Sequence, residues 1–251
     1  INIWNPTQVG ILLEDSKSKM KFNGVHIYAP GKIGIDIKNG EHNHQFDNIY
    51  ILTAKYGVII RGNLCHDLTF NNYNFLDTNK VTKSYAMLFQ NSPNPYFSVN
   101  NNIKVNGGTI DCNTYGFNVS NYYKNITIEN VTFNNCDDAI YTIKSQKDWN
   151  IYNNTFNNCT RGLYSTSDTC FNFNINNNSF VDAKTGSGDS YFLVGKLYKC
   201  NISGNNIDNS IYGLGLNGNY NSINNNNFNS NTYDYVFYTN SVGNKLTLNN
   251  Y

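Results

Sequence analysis

The residues in this chain whose types and spacing invite chemistry are three aspartates, Asp111, Asp137 and Asp138. Hydrolysis of a glycosidic bond uses two carboxyl groups. One protonates the leaving oxygen; the other activates water or attacks the sugar. Asp111 and Asp138 form the candidate catalytic dyad. Asp137 and Asp138 are adjacent, so one of them faces inward or serves the turn. A second reading stays open at all three positions, because Asp and Asn favour turns through local hydrogen bonds. Around them stand four candidate substrate-binding residues, Tyr115, Tyr141, Tyr164 and Arg161. Aromatic faces stack on pyranose rings, and polar termini bond hydroxyls. No Cys-x-x-Cys and no His cluster supports a metal site, and no cofactor is expected.

A repeat must position these residues. Residues 126–140 and 149–163 are two copies of one pattern, offset by 23 positions, with Ile128 answering Ile151, Phe133 answering Phe156 and Cys136 answering Cys159. A fixed period of this size signals a solenoid. One apolar column runs Phe22, Phe46, Phe70, Val105, Ile128, Ile151, Ile175, Ile202, Ile223, Leu246. Five residues later a second runs Ile27, Ile51, Phe75, Ile110, Phe133, Phe156, Phe180, Ile207, Phe228, Tyr251. The third runs Ile11, Ile35, Val58, Met87, Phe117, Ile140, Leu163, Phe192, Leu214, Val236. Three short strands per turn make a coil of parallel strands of about ten turns. β-branched and aromatic residues dominate the columns, which excludes helical repeats.

Two residues after the first column stands Gly or Asn, from Gly24 and Asn48 through to Asn225. Both tolerate the left-handed backbone that a sharp bend needs. One residue further, Asn154, Asn178, Asn205, Asn226 and Asn249 occupy consecutive turns. Stacked at about 4.8 Å, their carboxamides are expected to bond one another along the axis.

These columns resemble the right-handed parallel β-helix of the pectin-lyase-like superfamily, and the resemblance covers nearly the whole chain. The resemblance implies an all-β fold, a single-stranded solenoid forming one domain over residues 1–251. It leaves activity open, since that scaffold carries lyases, hydrolases, phage tailspikes and adhesins. Polygalacturonases of this fold carry Asn-Thr-Asp, then Asp-Asp one turn on, then Gly-His-Gly. Here stand Asn113-Thr114-Tyr115, Asp137-Asp138 and Thr160-Arg161-Gly162. The Asp pair matches, whereas Tyr115 replaces the first Asp and Arg161 the His. The family pattern is therefore degenerate and implies binding before cleavage.

Composition narrows the partners. A formal charge of +1 with 14% charged residues gives no basic patch, so no nucleic-acid partner is expected. No apolar run spans a membrane, so no insertion is expected. The 20 Tyr give an aromatic, weakly charged surface suited to sugars. The six Cys are read as small inward-facing thiols, with Cys136 and Cys159 sharing a column. The chain begins at Ile1 and stops in mid-repeat at Tyr251, which suggests a fragment of a longer protein. Residues 1–10 are a lead-in segment. Inserted loops are expected at 76–86, 90–102 and 181–191; they carry Lys80, Lys83, Pro93, Pro95 and Tyr96 and wall a recess over turns four to six. The outward column Leu12, Asp36, Ile59, Leu88, Asn118, Tyr141, Tyr164, Leu193, Gly215, Phe237 is apolar in places, which suggests an exposed homotrimer contact. The leading expectation is a phage tailspike or appendage domain on the virion tail that binds, and in some such proteins cleaves, a cell-surface polysaccharide. The rivals are a secreted polysaccharide hydrolase (depolymerase) and a non-catalytic adhesin stalk.

Overall fold

A computed structural model describes all residues except 15–18, 30–31, 39, 53, 62–64, 79–82, 91–100, 167–168, 184–188 and 239–240. Every strand pairing is parallel, and neighbouring strands come from successive turns. A 15-stranded sheet carries the first two columns, and a ten-stranded sheet carries the third. A two-stranded ribbon, Cys170–Phe171 with Leu197–Tyr198, lies on a third side. No helix occurs among the described residues. The molecule is an all-β parallel solenoid, consistent with a right-handed coil.

The first column pairs residue for residue as the period predicts, from Phe22↔Phe46 to Ile223↔Leu246. Each column is a stack of like side chains in the core. Phe133 and Phe156 lie face to face at 5.1 Å with planes 4° apart, and Phe46 stacks on Phe70 at 4.6 Å. All four are essentially free of solvent. Burial of each such ring stabilises the fold by about 1.5–3 kcal/mol.

The bends are where sequence dictates backbone most directly. Gly24, Asn48, Asn72, Gly107, Asn130, Asn153, Asn177, Gly204 and Asn225 all have φ between 52° and 72°. A second corner uses Asn135, Asn158, Asp182 and Asn209 in the same conformation, and a third uses Asn125, Asp148 and Asn172. Asn and Asp adopt this region more readily than other residues with a Cβ, because a short polar side chain bonds locally.

The internal Asn ladder forms as expected. Asn154 Nδ2 donates to Asn178 Oδ1 at 3.1 Å, Asn178 to Asn205 at 3.0 Å, Asn205 to Asn226 at 2.9 Å and Asn226 to Asn249 at 3.0 Å. Each Oδ1 also accepts the backbone N–H of the previous turn's Asn, and each Nδ2 reaches a carbonyl one turn back. Buried amides with every polar atom bonded are a rigid spine, because an orphan there costs more than the bond gains.

Three expectations need correction. In turn seven the residue that pairs Leu163 and Leu214 is Leu193, not Phe192, and in turn nine it is Tyr235, not Val236. The third strand points two consecutive residues inward, such as Gly57 and Val58, and seven-residue counting misses that doubling. Phe192 is also buried, packed on Phe156 and Phe180. The outward column accordingly holds Val194 and Val236 in place of Leu193 and Phe237. The exposed apolar stripe is not there: Ile59, Leu88 and Leu193 are 3%, 5% and 0% exposed, while Leu12 remains 50% exposed. Finally, Cys136 shares its place with Cys112 as well as Cys159, since the Cys112 and Cys136 sulfurs are 2.6 Å apart. All six cysteines are buried thiols. Strands also claim the margins of the expected insertions, at Leu76, Tyr85–Gln90, Val181 and Tyr191. Lys80, Pro93, Pro95 and Tyr96 lie outside the described residues.

Candidate functional site

The ten-stranded sheet opens each of its strands at the same outer edge. From turn two to turn nine the residue at that edge is Tyr56, Tyr85, Tyr115, Asp138, Arg161, Tyr191, Tyr212 and Tyr233. Six tyrosines thus flank one ion pair. Tyr56 stacks on Tyr85 at 5.2 Å and Tyr85 on Tyr115 at 5.1 Å. On the far side Tyr191 stacks on Tyr212 at 4.5 Å and Tyr212 on Tyr233 at 5.2 Å.

The centre is built by adjacent turns. Asp138 opens the strand Asp138–Thr142 and Arg161 opens Arg161–Ser165, in direct register. Arg161 donates from Nε to Asp138 Oδ1 and from Nη2 to Asp138 Oδ2 at 3.2 Å. The guanidinium also lies over the Tyr164 ring, 4.1 Å from its centroid. Tyr115 turns toward Tyr141 at 5.1 Å, and Tyr141 toward Tyr164 at 5.5 Å. The smaller Asp138 side chain leaves room for this sideways step, so the aromatic surface stays continuous around it.

Asp138 is 2% exposed. Burial raises its pKa from 3.8 to about 6; Arg161 opposes the rise and Asp137 adds to it. Burial, then the Asp138 charge, also raises the Tyr115 phenol, which therefore remains a protonated donor. The site thus offers aromatic edges, phenol hydroxyls and a guanidinium held flat by its own counter-ion. Fixed groups of this kind suit sugars, which bind through many weak hydrogen bonds.

The structure brings together Tyr115, Asp138, Arg161, Tyr141 and Tyr164. It places Asp111 elsewhere, at the end of the strand Ile103–Asp111 in the other sheet, in a row with Leu76 and Asn134. There Asp111 Oδ1 accepts from Asn135 Nδ2 at 3.0 Å, as part of an outer ladder that continues to Asn158. Asp137 stands between the sheets, and its carbonyl accepts the Arg161 N–H at 2.9 Å. The dyad expected from Asp111 and Asp138 gains no hydrogen bond between its members. Tyr56, Tyr85 and Tyr212 were missed, although they stand two residues before Val58, Met87 and Leu214 of the third column; Tyr191 and Tyr233 keep that offset only from the corrected Leu193 and Tyr235. That fixed offset was the available signal. No group of three or more His, Cys, Asp or Glu among the described residues is arranged to hold a metal ion, and no described helix is long and apolar enough to cross a membrane.

Comparison with known proteins agrees with this architecture. A family profile described as "Rhamnogalacturonase A/epimerase, pectate lyase-like" matches residues 54–164, somewhat under half of the chain. The match spans turns two to six, and so includes Tyr115, Asp138, Arg161, Tyr141 and Tyr164. No curated protein matches the chain. Profile and solenoid together support a pectin-lyase-like right-handed parallel β-helix, a scaffold whose function is related to polysaccharides.

Proposed function

We propose that this chain is a β-helical domain of the phage tailspike or appendage type that binds a cell-surface polysaccharide along the outer edge of its ten-stranded sheet. In this reading it sits on the virion tail and works as a homotrimer. The observation that carries the binding is the Asp138–Arg161 pair set within the tyrosine row. Both oxygens of the buried carboxylate are bonded to one guanidinium. Asp138 is therefore a holder of Arg161, and Arg161, Tyr115 and Tyr164 present the polar and aromatic contacts. The two flanking tyrosine stacks repeat along the axis every 5 Å or so, and Tyr56, Tyr85, Tyr212 and Tyr233 keep part of their surface in solvent. A polymer laid along the axis meets the same chemistry at each turn.

A hydrolase is the second reading, and one observation favours it. A carboxyl group raised to about 6 lies in the range of a general acid. It requires a second carboxylate across the scissile bond, for which Asp111 and Asp137 are the candidates. The two readings part on polysaccharide arrays combined with an assay for released reducing ends. The binder retains glycan, releases none, and loses retention on Tyr115→Ala. If wild-type protein releases oligosaccharides and Asp138→Asn abolishes release while binding persists, the chain is a depolymerase. If no glycan is retained at all, the adhesin stalk takes the place of both.

A further inference from the structure

Three thiols, Cys112, Cys136 and Cys159, come from successive turns at the corner that leads into the tyrosine row. Cys112 follows the strand Ile103–Asp111 directly and stands three residues before Tyr115. Cys136 stands two residues before Asp138, and Cys159 two before Arg161. All three are buried, at 1%, 0% and 0% exposure.

One pair among them is set apart by distance. The Cys112 and Cys136 sulfurs are 2.6 Å apart. Sulfur contacts elsewhere are longer, such as Ser165 Oγ to Cys170 Sγ at 3.4 Å and Thr142 Oγ1 to Cys170 Sγ at 3.8 Å. A disulfide bond measures about 2.05 Å and joins Cα atoms about 4.4–6.8 Å apart. Successive turns stack about 4.8 Å apart, inside that range. The gap between the two sulfurs therefore needs to close by only about half an ångström, which a small rotation of two side chains supplies. The backbone around the pair is already tied between turns. The Cys112 N–H donates to the Asn134 carbonyl at 3.2 Å, and the Cys136 carbonyl accepts the Thr160 N–H at 3.0 Å. Cys159 is aimed differently, since its thiol donates to the carbonyls of Phe133 at 3.7 Å and Asn157 at 3.5 Å.

We infer that Cys112 and Cys136 are a disulfide site, closed by exchange with a low-molecular-weight disulfide, that staples turn four to turn five beside Tyr115 and Asp138. In the first step one cysteine sulfur attacks the small disulfide, whose S–S bond breaks; one small thiol leaves and takes the cysteine proton. In the second step the other cysteine sulfur attacks the mixed disulfide and displaces the second small thiol, which takes the remaining proton. Two protein thiols are oxidised and one small disulfide is reduced. Burial raises both cysteine thiols, so thiolate is scarce in the folded chain and exchange runs fastest as the chain folds. Tyr115 and Asp138 are paired in register just beyond the staple. The link thus holds together the two corners that deliver them. The inference does not depend on the polysaccharide reading and stands or falls separately from it.

The test refolds reduced protein in a mixture of reduced and oxidised glutathione, and holds native protein in the same buffer for days. Both samples are then denatured, alkylated and mapped by mass spectrometry. Four of the six thiols should be alkylated, with one peptide linking Cys112 to Cys136 and a mass lower by two hydrogens. Cys159→Ala should keep the link, and Cys112→Ala should lose it with its five remaining thiols all alkylated. Alanine suits this corner, since Ala54 stands at the same offset before Tyr56 and is fully buried. The linked protein should melt about 5–10 °C above the same protein held reduced. Six alkylated thiols in both wild-type samples overturn the site. A link from Cys136 to Cys159 in the wild type overturns it as well, and equal melting of the linked and reduced forms overturns its role as a staple.

Discussion

Asp138 ties stability to pH in a direction opposite to most carboxylates. Its pKa is raised in the folded chain, from 3.8 to about 6. The folded state therefore binds the proton more tightly than the unfolded state. Stability from this group is fully present below about pH 4 and is lost as pH rises through about 6. The shift corresponds to about 3 kcal/mol at most. Unfolding by denaturant should show wild-type stability falling across that window, and Asp138→Asn should flatten the fall. Arg161→Ala strips the charged carboxylate of its counter-ion. Its cost should be small near pH 4 and about 3 kcal/mol near pH 8, the lower end for a broken buried pair because the guanidinium is partly exposed. A cost that does not change with pH would show that Asp138 stays neutral or that Arg161 contributes packing alone.

The strand stacks and Asn spine are the elements that fix this site in place. Replacing Phe156 by Ala, between Phe133 and Phe180, should cost about 3–5 kcal/mol. Asn178→Ala removes the acceptor of two Asn154 donors and a donor to the Ile151 carbonyl. Each orphaned group costs about 1–3 kcal/mol. Asn206→Ala, at an exposed position, should change stability by less than about 0.5 kcal/mol. Similar losses at Asn178 and Asn206, read from denaturant midpoints, would show that the buried ladder carries no special weight. These elements were the part most legible in the sequence. A parallel solenoid places residues of equal phase one strand apart, so phase alone yields contacts. The apolar columns, the left-handed corners and the Asn ladder all follow from phase. What phase does not yield is the fate of a side chain pointing outward. Ile59 and Leu88 lie on the outer face by phase and are buried nonetheless. Asp111 and Asp138 lie on adjacent turns but at different phases, Asp111 with Asn134 and Asp138 with Tyr115, so they sit on different sheets with different partners. The tyrosine row obeys the period, but at turns seven and nine its two-residue offset holds from Leu193 and Tyr235, where the strand turns a different residue inward than seven-residue counting gives.

At the scale of the whole molecule, the coil acts as a ruler. Its rows repeat at the strand spacing, and a polymer is the ligand that such a row suits. The burial of Ile59 changes what a charge there should do. Ile59→Lys places an ammonium where the side chain is 3% exposed. It should destabilise folding by about 2 kcal/mol or more, equally at low and high protein concentration. A variant that melts like the wild type yet elutes as a smaller species would instead restore that face as the subunit contact.

Polysaccharide binding at the tyrosine row is the central claim, and one comparison tests it most directly. Wild-type protein and Tyr115→Ala are titrated side by side against whichever polysaccharide the wild type retains, with melting curves confirming that both are folded. The account predicts retention by the wild type and a loss of tenfold or more in Tyr115→Ala, since that ring joins the Tyr85 stack to Tyr141. Equal affinity of the two proteins would place the glycan on another face of the solenoid and contradict the account.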